Sequence, residues 1–280
     1  MNPANYIAFQ GIRAAHSEAA CRQAYPDKQT MPLPSFEDVF EAVRSGQAAM
    51  GMVPIENSQT GRVAEIHSLL PQMDLYIIGE YIQSIEQHLL AIPASKLEDI
   101  QHVYSHPQAL LQCRQTLRQL KIQMHDYADT ALAAHDVAEW QDLTKAAVAS
   151  ELAAQEYNLK IIKRNIEDSS DNKTLFVCLG REPVDPDPAS GKVVTSVIFS
   201  TRHIPAALYK TLGGFATNKI NLLKLESYIP PHITRKAHFF VTFQGHQKDK
   251  AVQLALEELA FFCVEVKILG SYLADPIRFK

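Results

Sequence analysis

Cysteine is scarce in this 280-residue chain and scattered along it. Cys21, Cys113, Cys178 and Cys263 form no C-x-x-C pair, which argues against a disulfide framework or a zinc ribbon and leaves reduced, packing thiols. A charge excess is missing too. The formal net charge of -4, without any Lys/Arg-rich run, supplies no field to draw in nucleic acid or an anionic membrane. No basic recognition helix is visible, which sets a transcription regulator aside. Long apolar runs are absent as well: none reaches the roughly 18 residues that a membrane span needs. The N-terminal MNPANYIAFQG has neither a basic n-region nor a long apolar h-region, so a cytoplasmic protein is expected rather than a periplasmic solute receptor. Among eleven histidines only His102 and His106 stand at i, i+4. Pro107 and the strand-like HVY between the two argue against a helix there, so no metal is expected.

What is present suits an ordinary folded protein. Hydrophobic residues make up 46% and charged residues 21%. Single cores stop growing near ~250 residues, so two domains are the economical reading. The segment REPVDPDPASGK, residues 181–192, carries three prolines and no apolar periodicity, the pattern of an extended linker. It divides the chain into a domain over 1–181, a linker over 182–192 and a domain over 193–280.

In the first domain, strand and helix patterns alternate. SFEDVFEAV has Ser35 and Asp38 at capping-box spacing with Phe36, Val39, Phe40 and Val43 on one face, and Gly46 ends that helix. AAMGMVPI, LYIIGEYI, HVYS, KAAVAS and TLFVCLG read as strands, with ALLQCRQTLRQL and SELAAQEY as helices between them. An α/β fold follows, its mixed sheet covered on both faces, and the helical run between the middle strands suggests two lobes around a cleft. Beyond the linker, VTSVIFST, a helix opened by Pro205, INLLKLESYI, HFFVTFQG, KAVQLALEELAFFC and VEVKILGSYL give the ferredoxin-like order βαββαβ. A domain this small tends to bury its open sheet face or edge against a partner, so a homo-oligomer, dimer or tetramer, is expected.

Polar clusters fall where strands end and helices begin. Asn57 and Ser58 lie in VPIENSQTG, with Gly61 allowing a tight turn; Ser105 and His106 precede Pro107 in YSHPQALLQC; Asp129 or Thr130 can cap the helix of ADTALAA. Each is an ordinary cap taken alone. Three in one domain, all at carboxyl ends of strands, point to a small anionic ligand. In IEDSSDNKTLF, Asn172, Lys173 and Thr174 stand at the start of a strand, by spacing alone a turn with an incidental threonine.

Taken together, VPIENSQTGRV, SHPQALLQC, DTALAA, AAVASELAAQEYNL and NKTLF stand in the order and spacing of prephenate dehydratases, and the resemblance spans nearly the whole chain. IPAALYKTLGGFATNKINLLKLESYI resembles the amino-acid-sensing ACT domain of the monofunctional members. The resemblance implies a catalytic domain of two lobes like those of type II periplasmic binding proteins, followed by a ferredoxin-like ACT domain. It implies loss of the C4 hydroxyl and a carboxylate from prephenate to give phenylpyruvate in phenylalanine biosynthesis, without cofactor or metal. Thr174 matches the threonine of the family's Thr-Arg-Phe motif. Its hydroxyl, a very weak acid, is expected to donate a hydrogen bond to the leaving oxygen. Asn57, Ser58, Gly61, Ser105, His106, Gln108 and Thr130 are implied as substrate-contacting or site-shaping, with His106 as a candidate proton relay.

The chain departs from the family pattern at several positions. Leu175 replaces the motif's arginine, a bidentate carboxylate partner, so Lys173 or helix N-termini are expected to supply the charge. Ala14 replaces a glycine in FQGIRAAHSEAA, which keeps Gly11. For phenylalanine as effector, bound between two ACT domains with feedback inhibition, the implied residues are Ala206, Ala207 and Leu208 (for Gly-Ala-Leu), Asn221 and Leu222, and Glu226 and Ser227 before Tyr228 (for Glu-Ser-Arg). Two other readings stay open: arogenate dehydratase, whose substrate carries an ammonium and tolerates loss of an arginine better, and an amino-acid sensor without turnover.

Overall fold

A computed structural model describes residues 3–187, 189, 191–229 and 237–279; Pro188 and Ser190 of the expected linker lie outside them. The chain begins with β1 (Tyr6–Gln10), α1 (His16–Ala24), β2 (Gln29–Leu33), α2 (Phe36–Arg44), β3 (Met50–Asn57), β4 (Gly61–Arg62), α3 (Ala64–Leu69) and β5 (Tyr76–Ser84). It crosses to a second lobe of β6 (His88–Ala91), β7 (His102–Ser105), α4 (Pro107–Gln112), α5 (Arg114–Gln119), β8 (Gln123–Asp126), α6 (Thr130–Trp140), β9 (Lys145–Ala149), α7 (Glu151–Glu156) and β10 (Lys160–Lys163). Strand β11 (Lys173–Gly180) returns to the first lobe. After the linker come β12 (Val193–Thr201), α8 (Ala207–Thr217), β13 (Leu222–Tyr228), β14 (His238–Gln244), α9 (Lys250–Phe262) and β15 (Cys263–Leu273).

The expected α2 is present with its cap: Ser35 Oγ accepts from Asp38 N at 3.1 Å and donates to the Asp38 carboxylate at 2.6 Å. Two helices differ from the sequence reading. The run ALLQCRQTLRQL breaks at Cys113 into α4 and α5, and α8 starts at Ala207 rather than at Pro205. Ala206, the residue before α8, is left-handed with φ +58°, so the chain turns into the helix one step after the proline.

The first sheet runs β2-β1-β3-β11-β5, with β4 paired to β3; the second runs β10-β6-β9-β7-β8. Two connections join the lobes, Ile85–Gln87 and residues 164–172, and they bond to each other through Ile85 N to Asn172 O (2.8 Å) and Ile166 N to Gln87 O (2.8 Å). Both faces of the first sheet are buried. On one side Ile7, Phe9, Met52 and Phe176 pack with Leu90, Ala131, Ala147 and Ala153, which fuses the lobes at their base. On the other, Ala8, Val53, Ile55, Ile77 and Val177 pack against Val194, Ile198, Phe240, Leu269 and Tyr272.

Those last five residues belong to the four-stranded sheet β13-β14-β12-β15, whose opposite face carries α8 and α9, with Phe215 of α8 packed among Phe199, Val241 and Phe243 of the sheet. The βαββαβ order is therefore present, yet the open sheet face is covered by this chain's own first lobe. The expectation that a partner subunit covers that face is corrected accordingly. The approach is close. Gly270 on β15 has φ +151° and lies where a Cβ would collide with Ile77 O of β5. Polar bonds complete the junction: Arg278 forks onto Glu80 at 2.7 Å, and Asp275 accepts from Ile82 N at 2.9 Å. No helix among the described residues is long and apolar enough to cross a membrane.

Candidate active site

The cleft between the lobes has a volume of about 270 Å³. Its walls bring together four residues that sequence reasoning singled out on separate elements: Asn57 at the end of β3, His106 and Gln108 at the start of α4, and Thr130 at the start of α6. Thr174, near the start of β11, joins them because the antiparallel register sets it opposite Asn57.

Asn57 organises the centre. Its Nδ2 donates to Asn172 Oδ1 at 2.8 Å, to Thr174 Oγ1 at 3.0 Å and to Lys173 O at 3.3 Å. Its Oδ1 accepts from Gln59 N, Thr60 N and Thr60 Oγ1 at 3.0–3.2 Å, which shapes the turn to Gly61, itself left-handed at φ +77°. Thr174 Oγ1 is thus an acceptor from Asn57, and its one proton is free to point into the cleft. Asn172 Nδ2 donates in turn to Gln112 Oε1 at 3.1 Å. This chain of amides ties β3, β11 and α4 together across the two lobes.

Other expected residues take supporting places. Ser58 staples β3 to the start of β11, its Oγ donating to Asp171 O (2.9 Å) and accepting from Lys173 N (3.0 Å). Ser105 is fully buried and donates to Val148 O at 2.6 Å, binding β7 to β9. His106 caps α4 through Nδ1, which accepts from Gln108 N at 3.2 Å. Asp129 caps α6, accepting from Ala131 N (2.7 Å) and Leu132 N (3.1 Å). Lys173 turns its ammonium toward Asp171 at 3.4 Å and is not part of the wall. Thr174 and Phe176 face the cleft, whereas Leu175 between them packs into the core beneath the C-terminal sheet. An arginine at 175 would face that way too, so its replacement by leucine takes no cation from these walls.

His102, one of the two spaced histidines, bonds His125 at 3.1 Å on neighbouring strands, and the described residues hold no cluster of three or more metal-ligating side chains. Ala14, which stands where the family pattern has a glycine, is left-handed at φ +68°. It is held by Glu18, whose carboxylate accepts from Ala14 N (2.5 Å), Thr30 Oγ1 (2.7 Å) and Arg22 (2.7 Å). Burial pushes the Glu18 carboxyl up, but these donors outweigh it and hold the group below its ordinary value. Sequence reasoning missed His16, Ser17, Gln87 and Gln112 in the walls; isolated polar residues inside a helix or a crossover carry no local signature.

The family model described as prephenate dehydratase matches residues 7–184. The chain belongs to the prephenate dehydratase family. Among relatives, it is 41% identical over 280 residues, all of both chains, to a bifunctional N-acyl-homoserine lactone acylase/prephenate dehydratase of Komagataeibacter europaeus. It is 38% identical to arogenate dehydratase/prephenate dehydratase 2, chloroplastic, of Arabidopsis thaliana, over 96% of this chain and 73% of that one. The crystal structure of prephenate dehydratase from Arthrobacter aurescens, solved in complex with L-Phe, superposes with a TM-score of 0.87 at 29% identity, covering 96% of this chain and 90% of that one. In this prephenate dehydratase family member the matched region contains the entire cleft, from His16 to Phe176.

Proposed function

We propose that the chain is a carbon-oxygen lyase that converts prephenate to phenylpyruvate in phenylalanine biosynthesis. The observation that carries this reading is Thr174: a hydroxyl in a two-lobed cleft, its oxygen held by the Asn57 amide and its proton left for a ligand. In the reaction the bond from C1 to the carboxylate breaks, its electron pair enters the ring, and the C4 oxygen departs with its bonding pair as carbon dioxide is released. Aromatisation drives the step. The site has to hold the substrate in the reactive geometry and stabilise the departing oxygen, and a preorganised donor such as Thr174 does the second.

Arogenate as substrate is a second reading with its own support. The walls of the cleft include no lysine or arginine among the described residues and do include the Asp129 carboxylate, a balance kinder to an ammonium-bearing substrate than to a dianion. The plant relative named for both activities agrees with either choice.

We read 1–181 as the catalytic domain and 193–280 as an ACT domain through which phenylalanine inhibits, with Ala206, Ala207, Leu208, Asn221, Leu222, Glu226 and Ser227 as the effector site. The L-Phe complex of the Arthrobacter aurescens relative supports an effector of this kind. A route to the cleft supports it too. Lys224 on β13 bonds Glu56 at 2.7 Å, and Arg62 donates to Ser227 O at 3.1 Å and faces Glu226 at 3.8 Å. Glu56 and Arg62 flank the turn that contains Asn57, so a shift of β13 reaches the cleft through two ionic contacts. Homo-oligomer formation rests on apolar side chains left exposed on the C-terminal unit, Tyr209 and Phe261 foremost.

The test is product formation by the purified chain from prephenate and from arogenate, each with and without phenylalanine. Turnover of prephenate that falls with phenylalanine supports the whole reading. Turnover of arogenate alone transfers it to the second substrate, and turnover of neither leaves a sensor.

A further inference from the structure

His16 is the first residue of α1 and lines the cleft that holds Asn57 and Thr174. On its other side it also lines a second cavity of about 430 Å³ in the groove between the lobes. Its Nε2 is buried and has no partner of normal hydrogen-bond geometry among the described residues. The same is true of Oε1 of Gln87, the neighbour that acts on it as a weak partner. A buried ring nitrogen without a full partner costs stability comparable to a lost hydrogen bond. An unpartnered ring nitrogen in a cleft wall is the pattern of a donor that a ligand completes. The preceding residue, Ala15, gives α1 no side-chain cap at the same corner.

We propose that His16 is a substrate-positioning residue whose Nε2–H donates to a carboxylate oxygen of the cyclohexadiene substrate, with Gln87 orienting the ring. The imidazole suits this as a neutral donor: burial pushes its pKa below the ordinary histidine value, against smaller opposing effects of Gln87 and of the Asp129 carboxylate, while His88 lowers it further. The role differs from that of His106, whose Nδ1 caps α4. It also supplies a donor for the anion in walls that contain no lysine or arginine among the described residues.

The inference rests on the dehydratase reading, and the experiment separates the two. Steady-state kinetics on prephenate and arogenate are measured for the parent chain, His16→Phe, which keeps ring bulk without a donor, and His16→Gln, which keeps an N–H near the Nε2 position. Thermal unfolding with and without substrate is followed in parallel. Expected is a KM raised about ten- to a hundredfold in His16→Phe with kcat changed less, loss of the substrate-induced stabilisation, and recovery of most of both in His16→Gln. A His16→Phe enzyme with parental KM overturns the proposal, as does a His16→Gln enzyme as impaired as His16→Phe. If His16→Phe does not fold, His16→Gln and His16→Ala decide the same way: a parental KM in His16→Ala overturns it. A parent chain inactive on both substrates rejects the dehydratase reading itself.

Discussion

Replacing Asn57 by aspartate changes one atom of the network and reverses its polarity. The three bonds accepted by Oδ1 in the 57–60 turn survive, because a carboxylate accepts them equally well. The three donations from Nδ2 do not. An anionic oxygen would then face Asn172 Oδ1, Lys173 O and Thr174 Oγ1, which now lie at 2.8, 3.3 and 3.0 Å from the amide nitrogen. Asn172 can relieve part of this by turning its own amide, at the expense of its bond to Gln112. Thr174 can relieve more by donating its proton to the introduced carboxylate. That answer removes the donor from the leaving oxygen. Loss of one preorganised donor is worth about a hundred- to a thousandfold in kcat. The unpaired polar groups cost the fold about 1–3 kcal/mol. Turnover of prephenate and thermal unfolding of Asn57→Asp, at one pH, separate these effects: a folded protein with a melting temperature lower by several degrees and kcat down at least a hundredfold is expected. A folded variant that keeps kcat within about threefold of the parent would refute the assignment of Asn57 as the group that sets the Thr174 hydroxyl.

Three further outcomes follow from single residues. Ala206→Gly should stabilise the chain by about 1 kcal/mol in urea unfolding, since Ala206 bears a Cβ in the left-handed region at φ +58°. Lys224→Met should weaken inhibition by phenylalanine while basal turnover persists, because it cuts the 2.7 Å bond from β13 to Glu56 and leaves the cleft walls intact; inhibition curves on parent and variant check this. Glu18→Gln should cost about 1–3 kcal/mol at neutral pH through the bonds from Arg22 and Thr30. The Glu18 carboxyl is held below its ordinary 4.5, so its contribution is complete above that pH and is lost as pH falls through the lowered folded pKa. Denaturation of parent and variant should therefore converge in acid.

Much of this architecture was legible because local chemistry and global fold agree. Ser35 and Asp38 announce α2, and the alternation of strand and helix patterns beyond the linker yields β12 to β15 in the right order. The polar clusters at strand ends led to Asn57, His106 and Thr130, and the family resemblance to Gln108; the four share a cleft. What escaped depends on long-range pairing. Strand β2 is an edge strand interrupted by Pro32, and β10 is four residues of KIIK, so neither shows a periodicity that separates it from a loop. The return of β11 between β3 and β5 links residues more than a hundred positions apart in β3 and β11, and only that register places Thr174 against Asn57. The face of Leu175 and the docking of the C-terminal sheet onto the first lobe follow from the same pairing. His16 escaped for a different reason: an imidazole in a helix gives no sign of being unpartnered until the neighbouring lobe is in place.

The chemistry proposed for the cleft stands or falls on the Thr174 hydroxyl. Thr174→Ser keeps the donor and Thr174→Val keeps the shape, while Asn57 Nδ2 retains Asn172 Oδ1 and Lys173 O as acceptors, so both variants should fold. Release of phenylpyruvate from prephenate in a single turnover is the measurement. Thr174→Ser is expected within about tenfold of the parent, and Thr174→Val slower by about a hundredfold or more. A folded Thr174→Val enzyme that turns prephenate over at the parental rate would contradict the role given to this hydroxyl.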